Sequence, residues 1–313
     1  MRIFVTGAAG YIGMRVVETL CEKDWVETVV GLDLNEPPQR LPKFKFIRRD
    51  IREPIDDIFE TEGIDTVIHL AYVLKPIHDT GLMEEINKGG TRNVLAASSK
   101  ADVKYILYTS STTAYGFHPD NDNPLTEESP LRGNDDFTYA KNKKEIEGIM
   151  QGFIERNPEI AVSIVRPCFV VGPGFNNPMA SHLQKKFVML PSKTQPFQFV
   201  HEDDLINIMV LLIKERMGGI YNVAGEGTIT FAEMIKMMGN IQVPIPWPII
   251  YVLNNLAWFL RLSFITEYPS PAMRLMIHPW LATSEKVRRK TGYSFEYDSR
   301  GAFEDFVRSV KGQ

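Results

Sequence analysis

The stretch Arg2-Ile3-Phe4-Val5-Thr6-Gly7-Ala8-Ala9-Gly10-Tyr11-Ile12-Gly13 decides how this chain folds. Its first five residues form a short run of β-branched and aromatic side chains, a strand pattern. From Tyr11 to residue 23 the apolar positions recur at helical spacing. Three glycines stand between and just inside the two elements. Gly7, without a Cβ, makes the tight turn. Gly10 lets backbone approach a pyrophosphate, which would sit on the exposed N–H groups of Tyr11, Ile12 and Gly13 at the positive end of the helix. Gly13 also permits close packing of helix on strand. Strand, glycine loop and helix in this order predict a dinucleotide site.

Outward from that loop the same alternation continues. Strands are expected at 2–6, 28–33, 45–48, 66–70, 104–109 and 162–166, with helices at 11–23, 83–99 and 139–156. Strand, helix, strand at this spacing means parallel strands joined by crossovers. The expected fold class is α/β, a Rossmann-type doubly wound parallel sheet with a smaller C-terminal substrate-binding lobe. Residues 1–166 form the dinucleotide-binding core, and 167–313 mainly the lobe, with some segments returning to the core. That last part is rich in proline (Pro244, Pro246, Pro248) and methionine (Met234, Met237, Met238), a soft composition that suits a pocket as well as a core. The apolar run 246–264 is broken by Pro248, Asn254, Asn255 and Arg261, so it reads as a buried or pocket-lining helix, not an integral membrane segment.

Composition narrows the class. Over 313 residues, 44% apolar and 24% charged, the chain has the balance of an ordinary folded protein rather than a disordered one. A net charge of −4 gives no footprint for nucleic acid. Two cysteines, Cys21 and Cys168, build neither a disulfide framework nor a four-thiolate site. With no targeting leader ahead of the first strand, a reducing, cytoplasmic setting is expected. No histidine–carboxylate spacing suggests a metal.

Asp33 closes the second strand, twenty residues beyond Gly13. A carboxylate there accepts both ribose hydroxyls and repels a 2′-phosphate, so NAD is expected rather than NADP. Arg15 and Arg40 are the cations that could reach such a phosphate. Asp50 and Ile51 follow the third strand, placed to flank the adenine, although Asp50 equally suits a strand-end cap. Leu70 and Ala71 end the fourth strand where backbone passes the cofactor, with His69 neutral and packed.

Tyr139 and Lys143 are four apart on a helix and share one face. An ammonium and an oxidised nicotinamide beside a phenol both favour phenolate, bringing its pKa toward working pH, and the lysine also holds the nicotinamide ribose. Upstream, the strand 104–109 runs into Ser110-Ser111-Thr112-Thr113. A hydroxyl at the C-terminal end of a central parallel strand points into the ligand crevice. Ser111 is the candidate to hydrogen-bond the substrate oxygen, with Ser110 and Thr112 as neighbours able to do the same. Asn87 could orient Lys143 through water. Lys75, His78 and Asp79 read as a solvated loop, and Cys168 lacks a partner that would activate it.

These motifs, in this order and spacing, resemble the extended short-chain dehydrogenases/reductases, often labelled NAD-dependent epimerase/dehydratase proteins. The resemblance runs through Arg166-Pro167, Val171-Gly172-Pro173-Gly174, 199–204 and 221–225, covering about residues 1–230. It implies the catalytic set Ser111, Tyr139, Lys143 and Asn87, with Pro167 added to the cofactor contacts. It also marks departures. Family nucleotide-sugar epimerases usually place a diphosphate-binding asparagine where Phe169 stands, and Arg-Asp where Phe197-Gln198 stand. The family's 4,6-dehydratases carry Asp-Glu where this chain has Thr112-Thr113. The expected activity is therefore reversible, NAD-dependent hydride transfer at a secondary alcohol or ketone of a small or apolar substrate. The alternatives are a nucleotide-sugar epimerase and a dinucleotide-binding regulator without turnover. A small-molecule substrate and a homodimer are the expected partners.

Overall fold

The computed structural model describes residues 1–312. Seven parallel strands form one sheet: β1 (Arg2–Thr6), β2 (Thr28–Asp33), β3 (Phe44–Arg48), β4 (Thr66–His69), β5 (Tyr105–Thr109), β6 (Ala161–Pro167) and, later in the chain, a further strand at Gly219–Val223. In space that last strand leads, followed by β6, β5, β4, β1, β2 and β3. The order reverses between β1 and β4, which opens a crevice at their C-terminal ends. Six of the seven strands were expected within two residues. The seventh, Ile220-Tyr221-Asn222-Val223, is too short and mixed to announce itself, and it exists because β6 offers it a parallel edge.

Side chains alternate across the sheet as the pleat demands. Ile3, Val5, Tyr105 and Leu107 enter one core with helix α1 (Tyr11–Cys21), whereas Phe4, Ile106 and Tyr108 enter the other. That second core is roofed by α2 (Asp56–Glu62), by α4 (Gly90–Lys100), which follows the short α3 (Thr80–Glu84), and by α5 (Thr138–Arg156). The helix expected at 83–99 is in fact α3, a π-turn at Glu85–Gly89 and α4 in succession. The wider turn lets Gly90 approach Ile51, where a Cβ would stand 2.6 Å from its Cγ2.

Beyond Pro167 the chain leaves the sheet. Two small parallel pairs form, β7 (Phe169–Val171) with β9 (Phe199–His201), and β8 (Phe187–Pro191) with β11 (Ile241–Ile245). The strand at Gly219–Val223 is thus β10 in chain order. Helices α6 (Pro178–Leu183), α8 (Phe231–Met238) and α9 (Trp247–Phe259) complete this region. By contrast α7 (Glu202–Lys214) lies on the sheet beside α1, α10 (Glu285–Thr291) packs on β10, and α11 (Ser299–Lys311) covers β9. Among the described residues no helix is long and apolar enough to cross a membrane.

Candidate active site

A cavity of about 960 Å³ opens at the C-terminal ends of the central strands. Gly7 after β1, Leu70 after β4, Thr109 to Ser111 at the end of β5 and Pro167 at the end of β6 all line it. Gly10, Tyr11, Ile12, Gly13, Tyr139 and Lys143 line it too.

The glycine loop is shaped by close approach. Gly7 adopts φ +70, and a Cβ there would stand 2.8 Å from the Ala71 nitrogen. A Cβ on Gly13 would stand 2.0 Å from the Gly7 carbonyl oxygen. Gly10 caps α1 with extended backbone and no side chain. The first N–H groups of α1 therefore have neither an intrahelical nor a side-chain acceptor. An uncapped helix N-terminus in a loop stripped of side chains fits a pyrophosphate. The Tyr11 ring turns away from the loop, and its hydroxyl donates to Glu202. Arg15 pairs with that same carboxylate at 2.9 Å and with Asp203, which ties α1 to α7 and occupies one of the two cations that could have met a 2′-phosphate. Burial pushes the Glu202 carboxyl up to about 7. Nothing in the local sequence announced this clasp, because its partners are nearly two hundred residues apart.

Asp33 stands at the end of β2, its carboxylate accepting from the Ala9 N–H at 3.1 Å and the Asn35 N–H at 3.0 Å. It thereby faces the glycine loop. Asp50 is tied to Arg52, whose guanidinium holds its carboxyl below the ordinary range, and it accepts from the Arg52 N–H at 2.9 Å. This is the strand-end cap. Ile51 is buried against Gly90. Ala71 is held by its N–H to Thr6 Oγ1 at 3.1 Å. His69 is buried between the Thr6 hydroxyl at 2.7 Å and the Thr91 hydroxyl at 3.0 Å, and desolvation draws its pKa down to about 3. It is a neutral packed residue, as expected.

Lys143 is the most constrained cation in the site. Its Nζ donates to the Thr109 carbonyl at 2.9 Å and lies 3.9 Å from the centroid of the Tyr72 ring and 5.9 Å from that of Tyr139. Desolvation draws its pKa down to about 7. Desolvation also pushes the Tyr139 phenol up to about 12, against a lowering contribution from Ser111. The lowered phenol expected beside an ammonium and an oxidised nicotinamide belongs to the cofactor-bound site; in the protein alone, burial sets the direction. Tyr72, whose ring supports both residues and meets Tyr139 edge-on at 5.3 Å, was missed because an aromatic in a loop carries no motif.

The three hydroxyls after β5 separate. Ser110 donates to Glu147 at 2.5 Å, inside a buried network in which Arg166 pairs bidentately with Glu147 and donates to the Tyr115 hydroxyl at 2.7 Å. The Thr112 hydroxyl is buried without a partner. Ser111 donates to Thr113 Oγ1 at 2.9 Å and lines the cavity. Asn87 does not hydrogen-bond Lys143. Its Oδ1 accepts from the Val73 N–H at 2.8 Å, so it pins the loop that carries Tyr72.

The far side of the cavity is apolar. Phe169 lines it and packs on Phe197, Phe199 and Trp280 with ring centroids 5.1 to 6.3 Å apart. Phe197 lies beneath, fully buried, and does not reach the cavity wall. Gln198 is likewise inward, bonded to the Gly225 and Ala282 carbonyls and the Ala282 N–H. Cys168 is buried, and burial raises its thiol above the ordinary range. In the loop after β4, Lys75 pairs with Glu267 at 3.3 Å and His78 stacks on Trp258 at 4.3 Å. Lys75, His78 and Asp79 stay exposed, as expected for a solvated loop, while these two contacts rest the loop on the lobe.

The glycine loop, Asp33 and the Tyr139–Lys143 pair stand within a stretch matched by one family profile, that of the NAD dependent epimerase/dehydratase family, which covers residues 3–224. An uncharacterised protein of Mycobacterium tuberculosis is 25% identical over 98% of this chain and 83% of its own length. The N-acetyl-alpha-D-glucosaminyl-diphospho-ditrans,octacis-undecaprenol 4-epimerase of Escherichia coli O157:H7 is 26% identical over 79% of this chain and 76% of its own. Among solved structures, MoeE5 in complex with UDP-glucuronic acid and NAD superposes with a TM-score of 0.79 at 19% identity, covering 100% of this chain and 99% of that one. Seven parallel strands, a side-chain-free phosphate cradle and a profile that spans the whole core agree: this chain belongs to the NAD dependent epimerase/dehydratase family, a family of enzymes.

Proposed function

We propose that this protein is an NAD-dependent sugar epimerase that inverts a secondary carbinol through a transient ketone. The observation that carries it is the single cavity shared by the glycine loop, Ser111, Tyr139 and Lys143. The family and the 4-epimerase relative favour epimerisation over net oxidation. Bound NAD supplies the hydride acceptor and then its donor.

Asp33 accepts the ribose hydroxyls, and with Arg15 engaged by Glu202 the site favours NAD over NADP. The Ser111 hydroxyl donates to the substrate oxygen. Tyr139 takes the carbinol proton as the ketone forms and returns it when the alcohol re-forms. Lys143 makes that proton transfer feasible. A lone buried phenolate and a lone buried ammonium are each disfavoured, but the two together offset each other's desolvation. Asn87 and Tyr72 are positioning residues that hold Lys143 and Tyr139 in place. Epimerisation also requires the intermediate to turn and present its other face to the nicotinamide. Residues 167–313 mainly form the substrate-binding lobe, with α7 and β10 returning to the core.

Phe169 and its aromatic neighbours make that corner apolar, which suits an apolar group of the substrate and disfavours any diphosphate placed there. The same observation supports a second reading, net oxidation or reduction of an apolar hydroxy compound. The two differ in cofactor balance. Enzyme with NAD is incubated with UDP-N-acetylglucosamine, with its polyprenyl-diphosphate counterpart, and with apolar secondary alcohols. Interconversion of C4 epimers with flat NADH absorbance supports epimerisation. Steady accumulation of NADH with an alcohol, and no epimer from either sugar, sinks it in favour of the second reading.

A further inference from the structure

Helix α9 is apolar on both sides. Ile250 and Ala257 are buried against the molecule, and Asn254 donates to the Tyr268 carbonyl at 3.0 Å and Ser270 Oγ at 3.1 Å. The opposite side carries Ile249, Val252, Leu253, Leu256, Phe259 and Leu260 at helical spacing, each 52–80% exposed. Phe264 continues the exposed apolar run in sequence beyond the helix, and Phe187 of β8 and Ile241 of β11, register partners, are exposed on the small sheet that leads into α9. An exposed apolar stripe of this extent marks an interaction surface.

Its own segments are basic. No aspartate or glutamate occurs in residues 160–201 or 234–266, and Glu267, the next residue along and part of the cavity lining, is paired with Lys75. Lys185, Lys186, Lys193, Lys236 and Arg261 lie in the same segments, exposed and, among the described residues, without a carboxylate partner. The whole chain carries −4, so this region runs against the overall charge. The cavity opens here as well: Met189, Leu253, Leu256, Leu260, Phe264 and Ile265 are exposed and also line it.

We propose that this face seats the protein on an anionic bilayer surface, with the α9 stripe in the headgroup–acyl boundary and the cavity opening toward the lipid. A surface with an apolar centre and cations around it suits anionic lipid. A second copy on the same patch would bring those cations together across a two-fold interface, with the neighbouring Glu267 already engaged by Lys75. The docking stands independently of the reaction assigned above, and its test reads binding rather than turnover.

The full chain is sedimented with large vesicles of phosphatidylcholine alone or with phosphatidylglycerol added. At low salt, partition onto the anionic vesicles is expected to exceed that onto neutral ones by about tenfold or more, and to fall as salt is raised. Ile249→Ser with Val252→Ser and Phe259→Ser, three side chains outside the cavity lining, should lower that partition about tenfold or more while NAD affinity holds. If that variant does not fold, Lys186→Gln with Lys193→Gln and Arg261→Gln serves instead, with about a fivefold loss per charge removed. Equal recovery from anionic and neutral vesicles overturns the proposal. So does a dimer in solution that the serine variant turns to monomer with no vesicle binding, since the face then belongs to a second copy.

Discussion

Tyr139 and Lys143 are four residues apart on α5, yet what each does depends on burial that four residues cannot express. If Tyr139 moves the carbinol proton, Tyr139→Phe should lower kcat by ~10²–10⁴-fold and leave NAD affinity within a few-fold. More than about a tenth of the wild-type kcat in the variant would remove Tyr139 from the reaction. Lys143 gives a prediction in the absence of substrate. Its pKa in the fold is about 7, below the ordinary lysine value of 10.5. The unfolded chain therefore binds that proton more readily over this window. The stability contribution is present above the unfolded value and is lost as pH falls through about 7. Wild-type Tm should thus decline from about pH 9 to about pH 6 more steeply than that of Lys143→Met, and the variant should melt higher at neutral pH. Parallel Tm–pH curves for the two proteins would contradict a desolvated Lys143. If Asp33 receives the ribose hydroxyls, Asp33→Asn removes the charge that repels a 2′-phosphate, so NADP binding should rise about tenfold or more relative to NAD. Titration of both cofactors checks it, and an unchanged ratio places Asp33 elsewhere.

At the scale of elements, the turn from β1 into α1 tolerates no added side chain at Gly7 or Gly13. A Cβ on Gly13 would stand 2.0 Å from a backbone oxygen, which no rotamer change relieves. Gly13→Ala should cost at least about tenfold in NAD affinity and lower Tm. An alanine variant with wild-type affinity would mean that α1 can slide on the loop. The clasp of Tyr11 and Arg15 on Glu202 acts at the same scale, holding the start of α7 against the glycine loop. The alternation of β1 and β5 was readable because each run is buried on both faces. The π-turn before Gly90 was not, because it answers the close approach of Ile51 from a different crossover.

For the whole molecule, one apolar core runs from Val16 and Val17 of α1 through Leu205 and Met209 of α7 to Phe197, Trp280 and Phe303 beyond the sheet. Trp280 joins its parts, with its ring 5.5 Å from Phe117 after β5 and 5.1 Å from Phe197 in the lobe. Core and lobe should therefore melt together. Calorimetry should show one transition, and Trp280→Ala, worth ~3–5 kcal/mol, should move it down as a unit. Two resolved transitions, only one of them shifted, would show that the lobe folds independently.

What the sequence by itself determined is the dinucleotide half. The glycine spacing, Asp33 twenty residues on, the hydroxyls after β5 and the Tyr139–Lys143 pair are local patterns. Their chemistry is carried by backbone geometry and by neighbours within one turn. The tertiary structure alone separated Ser110, Ser111 and Thr112, by giving the Ser110 hydroxyl to Glu147, burying that of Thr112 and turning that of Ser111 to Thr113. It also gave the Asn87 side-chain carbonyl to the Val73 N–H and moved Phe197 from the substrate wall to the core beneath it. Above all it placed α9, which an apolar sequence could have buried on both sides. Which side of such a helix meets protein and which is left outside depends on what packs against it, and that is settled by residues far away in the chain.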